Sequence, residues 1–244
     1  MVLIFFMLAV AFLLSCTSIE RDSVCDEKSV KYNGCVGIVP SDGDRFIDSR
    51  DNKSYRYVNI GEQTWMAENL NYAALGKCYD NKESNCATYG RLYDWATAMD
   101  LPEECNSDQY SCASQIKAKH QGICPGGWRI PNNDDWNNLV NYVEINKHCV
   151  SCVDRYLKST SGWVNEKGEP MGNGNDDFGF SALPGGYGFS NGSFRGVGYD
   201  GYWLSTSGGN SKMILSYKDG YVTWTAYNKT SFGSVRCVKD YTLF

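Results

Sequence analysis

The residue types able to do chemistry are unevenly supplied in this chain. There are 11 cysteines but only two histidines, His120 and His148. Neither histidine has a motif around it, so no Ser-His-Asp or Cys-His nucleophile arrangement can be assembled. Paired carboxylates occur at Asp134/Asp135 and at Asp176/Asp177, and adjacent acids at a helix start read as caps. Zinc-type ligation is a poor fit, because no CxxC…CxxC pair occurs. Cys149-Val-Ser-Cys152 has redox spacing but no thioredoxin-like βαβ pattern around it. The inventory therefore points away from turnover, and no cofactor is expected. One stretch, GNGNDD at residues 172–177, offers Asn173, Asn175, Asp176 and Asp177 as oxygen ligands for calcium. It lacks EF-hand spacing and reads first as a turn-forming loop.

Binding chemistry is better represented. Tyr187, Phe189, Phe194, Tyr199, Tyr202 and Trp203 are interleaved with glycine, the material of a glycan platform or of a core on glycine-rich strands. Trp203 is assigned to the core, leaving Tyr187, Phe194 and Tyr199 as candidate ligand-binding residues. The formal net charge of -5, with 17 Tyr and 7 Trp, lacks the basic footprint of a phosphate binder. Nucleic acid is excluded as a partner on that ground.

The cysteines fit an exported protein. Residues 1–15 form an apolar run, shorter than the about 20 residues that cross a bilayer as a helix. It reads as a signal-peptide hydrophobic region. Leu13-Leu14-Ser15-Cys16 resembles the lipobox of bacterial lipoproteins, which implies that Cys16 is acylated and tethers the mature chain to a membrane. The expected address is the cell envelope, at the outer-membrane surface of a bacterium. Ten cysteines remain, an even number that reads as structural disulfides. Short loop closure favours Cys25/Cys35, Cys78/Cys86, Cys105/Cys112 and Cys149/Cys152, leaving Cys124 and Cys237 for each other.

The elements that must position these residues follow from pattern. Residues 16–44 are polar and aperiodic, a tether, and the folded domain is expected over 45–240. A hairpin is expected around Arg50-Asp51-Asn52-Lys53, with Trp65 and Met66 in the core and Asn69 and Asn71 tying down loop backbone. Residues 73–89 read as loop. A short helix is expected over 92–99, with Leu92, Trp95, Ala96 and Met99 on one face. Cys124-Pro-Gly-Gly-Trp-Arg-Ile-Pro131 gives a turn and a short strand, and a second helix follows over 134–146. Asn133, Asp134 and Asp135 mark its start, with Trp136, Leu139, Val140 and Val143 as its buried stripe. Residues 153–158 suggest a third short helical face. Strands are expected at 178–183, 202–206 and 232–238, with a hairpin around Lys218-Asp219-Gly220.

Six stretches in order resemble a known family: DSRDNKSYRYVNIGEQTWMAENLN (48–71), ATYGRLYDWATA (87–98), CPGGWRIPNNDDW (124–136), FGFSALPGGY (178–187), YWLST (202–206) and SVRCV (234–238). They are similar to the Fibrobacter succinogenes major paralogous domain, a family of exported bacterial proteins without an established activity. The resemblance implies an α+β fold of the C-type-lectin and formylglycine-generating-enzyme type: a twisted antiparallel sheet, two main short helices and long disulfide-pinned loops. It also implies that a Cys124–Cys237 bridge ties the strand before the second helix to the last strand. The function expected is a lipid-anchored binding or adhesion module for polysaccharide or a surface protein. The alternatives are an envelope protein with no small ligand and an oxidoreductase of the formylglycine-generating type.

Overall fold

A computed structural model describes residues 44–108, 110–206, 212–218, 222–225 and 228–240. Cys16, Cys25 and Cys35 lie outside the described residues, as do the leader and the tether up to residue 43. Residues Ile38–Phe244 make up one compact unit. Among the described residues no helix is long and apolar enough to cross a membrane.

The fold is α+β. Its first sheet has five strands in the order β1-β2-β3-β12-β5, all antiparallel. These are Arg45–Ile47, Ser54–Ile60, Gln63–Met66, Val238–Lys239 and Trp128–Arg129. The second sheet has seven strands: β4 (Leu92–Tyr93), β6 (Gly185–Gly188), β7 (Phe194–Val197), β8 (Asp200–Leu204), β9 (Lys212–Ser216), β10 (Thr223–Thr225) and β11 (Gly233–Ser234). Two of its ladders are parallel, β8 with β11 and β8 with β6. The expected hairpin flanks are present as β9 and β10, although Asp219 and Gly220 lie outside the described residues.

Among the described residues four α-helices accompany the sheets: α1 (Glu83–Tyr89), α2 (Trp95–Met99), α3 (Asn133–Lys147) and α4 (Val153–Leu157). The start of α3 is a capping box: Asn132 Oδ1 accepts from Asp135 N, and Asp135 Oδ2 accepts from Asn132 N, both at 2.8 Å. The cap is thus one residue earlier than the acidic run suggests. Trp136, Leu139 and Val143 are buried on its inner face. There Trp136 lies 4.5 Å from Trp65 and meets Phe180 edge-on at 6.3 Å between ring centroids.

Four expectations need correcting. Residues 79–89 are not loop but a 3-10 turn followed by α1, closed by the Cys78–Cys86 bridge. The helix expected over 92–99 begins only at Trp95, because Asp94 caps it through Thr97 N and the two residues before it pair with β11. Residues 178–183 are not a strand. Gly179 and Ser181 have φ of 68° and 52°, and only Ala182 makes a bridge, to Lys158.

The last strand also divides. Residues 233–234 belong to one sheet and 238–239 to the other, so residues 235–237 carry the chain from sheet to sheet. They run alongside residues 66–70, where Met66 N donates to Cys237 O at 3.0 Å and Leu70 N to Val235 O at 2.8 Å. Cys237 is bonded to Cys124 there, and both are fully buried.

Candidate functional site

The crossing between the sheets places Arg236 in the interior with no exposed surface. Its partners are oxygens of neutral groups. Asn69 Oδ1 accepts from Arg236 Nε at 3.1 Å, from Arg236 Nη2 at 2.8 Å and from Trp203 Nε1 at 2.8 Å. Arg236 also donates to the carbonyl of Phe180, and its guanidinium stands 4.4 Å from the Phe180 ring centre. Burial pushes the Arg236 pKa down to about 9, because the charged form is poorly solvated there. On its other side Asn69 donates Nδ2 to Tyr89 O at 2.8 Å. Gly90 makes this approach possible: its φ is +76°, and a Cβ there would sit 2.8 Å from Asn69 Cβ.

Above this buried node lies a cleft of about 440 Å³ with mixed polar and apolar lining. One wall is β2 and the segment after β3, with Lys53, Arg56, Glu68 and Asn71. The C-terminal end of α1 contributes Thr88 and Tyr89, the segment after α4 contributes Thr160, and the 176–183 loop contributes Asp176 and Ser181. Its charged lining is balanced, two cations (Lys53, Arg56) against two carboxylates (Glu68, Asp176). Arg56 N donates to Glu68 Oε2 at 2.9 Å, and Lys53 Nζ donates to Asn71 O. Asn71 N donates to Tyr55 OH at 3.0 Å and Asn71 Nδ2 to Cys86 O at 3.0 Å. Burial raises the Asp176 pKa above its ordinary value, against the opposing hydrogen bonds from Ser181. The lining suits a polar ligand without net charge.

The calcium candidates turn to different partners. Asn173 Oδ1 accepts from Trp163 N at 3.0 Å, Asp176 Oδ1 accepts from Ser181 N at 2.6 Å, and Asp177 Oδ2 pairs with Lys147 Nζ at 2.5 Å. Asn175 ties down the loop through its backbone N–H, which donates to Arg155 O at 2.7 Å. Of the four, Asp176 is the one that reaches the cleft.

The three candidate aromatic residues also part company. Alternation along β6 and β7 sends Tyr187 and Phe194 to opposite faces, because Tyr187 pairs with Arg195 and Phe194 with Gly188. Tyr187 stands 4.6 Å from Tyr202, Phe194 5.2 Å from Tyr79 and Tyr199 5.8 Å from Tyr217, all between ring centroids. All three rings are half-buried, whereas Trp203 is in the core.

Among the described residues four disulfides join Cys78–Cys86, Cys105–Cys112, Cys124–Cys237 and Cys149–Cys152. A possible metal grouping of Cys78, Glu83 and Cys86 coincides with the first of these bridges, so its sulfurs are already bonded. His120 is buried with Nε2 2.8 Å from Met99 O, and His148 ends α3 in the left-handed conformation. Asp135, from one of the acidic pairs, grips Arg129 through both carboxylate oxygens at 2.6 and 2.7 Å.

Residues 58–239 match the family model described as Fibrobacter succinogenes major domain. The chain belongs to that family. Comparison with curated proteins and with solved structures found no match. Of the six family-like stretches, 48–71, 87–98 and 178–187 line the cleft, and 202–206 and 234–238 supply Trp203 and Arg236 to the Asn69 node beneath it. The sequence pattern places Asn69 and Asn71 as backbone anchors, but nothing local in it joins Glu68, Tyr89, Ser181 and Arg236 into one site. The signal available was a charged residue inside the apolar run Val235-Arg236-Cys237-Val238.

Proposed function

We propose that this chain is a lipid-anchored binding module of the cell envelope, which holds polysaccharide at the outer-membrane surface without turning it over. The observation that carries the reading is the cleft above Asn69, to which five separate family-like stretches contribute lining or support. A charge-balanced wall of hydroxyls, amides and carboxylates beside a half-buried tyrosine ring is matched to sugar hydroxyls and a sugar face. Four disulfides give the domain the cross-linking that oxidising compartments permit. The anchor is Cys16, whose acyl chains hold the domain on the membrane when two or more are attached.

The reading is tested by presenting the soluble domain to a glycan array and to insoluble cellulose. Retention on a neutral polysaccharide is expected, and failure to bind any glycan in either format contradicts it. Mass spectrometry of the mature N-terminus tests the anchor: an acylated Cys16 is expected, and an unmodified residue there refutes it.

A further inference from the structure

We propose that Cys149–Cys152 is an exchangeable disulfide that regulates the cleft, opened by dithiols or by CxxC-bearing thiol oxidoreductases. The regulatory half of this statement rests on the binding role given to the cleft, whereas the exchange chemistry stands without it. The bridge closes the junction between α3 and α4. Val150 is 80% exposed and Ser151 is also exposed, with the two cysteines half-buried on either side. Each of the other three bridges has a cysteine no more than 2% exposed, and for Cys124–Cys237 both are at 0%. An attacking thiolate must reach a sulfur along the S–S axis: both cysteines are half-buried here, only Cys112 is in Cys105–Cys112, and neither cysteine is in the other two bridges, so this bridge alone can be approached from either side. Lys147 and His148 precede it, and a basic neighbour favours the thiolate that exchange produces.

Both flanks of the bridge hold the loop that carries Asp176. On the α3 side Lys147 Nζ pairs with Asp177 at 2.5 Å. On the α4 side Arg155 O accepts from Asn175 N at 2.7 Å and Ser159 O accepts from Gly174 N at 2.9 Å. The fit is close, since a Cβ at Gly174 would collide with the carbonyls of Lys158 and Arg155. Opening the bridge frees the α3–α4 junction, loosens both grips and shifts Asp176 at the edge of the cleft.

The chemistry balances as ordinary exchange. A dithiol's thiolate attacks one sulfur and the other leaves as thiolate and takes up a proton. The dithiol's second thiol then displaces the first cysteine, leaving two protein thiols and an oxidised, cyclic dithiol. The protein disulfide gains two electrons and the dithiol loses them.

The folded domain is equilibrated in mixtures of reduced and oxidised dithiothreitol, trapped with iodoacetamide and mapped by peptide mass spectrometry. Cys149 and Cys152 are expected to be alkylated at ratios that leave the other three bridges closed. Opening of all four together, or of this one last, overturns the exchange proposal. Hydrogen exchange then reads the coupling without any ligand. In the selectively reduced protein, and in the Cys149→Ser/Cys152→Ser variant, the amides of Gly174 and Asn175 are expected to exchange about tenfold faster than in the oxidised chain. Unchanged exchange at those amides overturns the coupling. A chain that shows both effects but binds no glycan retains the switch and loses only the binding role of the cleft.

Discussion

Asn69 Oδ1 lies 2.8 Å from Arg236 Nη2 and 3.1 Å from Arg236 Nε, across 167 positions of sequence, and it is 2.8 Å from Trp203 Nε1 as well. One amide oxygen thus serves a buried cation and a buried indole. Three stretches of chain meet at it, and the cleft is built on their meeting.

The two ends of that contact should respond differently to mutation. Asn69→Ala strips the acceptor from three buried N–H groups and leaves the guanidinium charged, so it should cost about 3–5 kcal/mol. Arg236→Met removes the cation along with its need for acceptors and leaves Asn69 paired with Trp203, so its cost should be smaller. Urea unfolding of both variants checks this, and an Asn69→Ala protein more stable than Arg236→Met would contradict it.

The disulfides should rank by the length of chain they close. Cys124–Cys237 has a sequence separation of 113, and its loss as Cys124→Ser/Cys237→Ser should cost about 5 kcal/mol in the chain-entropy account. Cys149–Cys152 has a separation of 3, and its removal should cost only about 1–2 kcal/mol. Denaturant midpoints decide, and equal losses would refute the ranking.

Asp176 gives a pH dependence of definite sign. Its carboxyl is raised above the ordinary value by burial, so the folded chain holds the proton more tightly than the unfolded chain. That contribution is complete below the unfolded value of 3.8 and is lost as pH rises through the folded value. Wild type should therefore lose stability relative to Asp176→Asn across that window, with a constant difference above it. Denaturation midpoints of the two proteins from pH 3.5 upward, about the range where carboxyls titrate, test the sign. A difference that moves the other way contradicts the burial of this carboxyl.

What was legible in the sequence was whatever short-range physics determines. The inner face of α3 is visible as Trp136, Leu139 and Val143 because helix period alone sets it. Three short-range cysteine pairings follow from loop closure, and Cys124–Cys237 follows as the pair that remains once the even count is known. Less visible was anything set by tertiary contact. Residues 178–183 look like a strand by composition, yet Ser181 is held at positive φ while Asp176 binds its amide and hydroxyl. Helix α1 has no apolar stripe to announce it and buries only Cys86. The cleft was the least visible, because Glu68, Tyr89, Asp176 and Ser181 meet only after residues 235–237 cross between the sheets. Strand alternation also sends Tyr187 and Phe194 to opposite faces, a separation that composition alone does not show.

The central claim is that the cleft, and not the ring contacts around Tyr187, receives the ligand. Its most direct measurement is calorimetric titration of the array-selected oligosaccharide into wild type, Thr160→Trp and Tyr187→Ala. Thr160 is exposed on the cleft wall, so an indole there should fill the cleft and abolish binding while leaving the unfolding midpoint unchanged. Tyr187→Ala should bind as wild type does. Full affinity in Thr160→Trp, with loss of binding in Tyr187→Ala, would contradict the account.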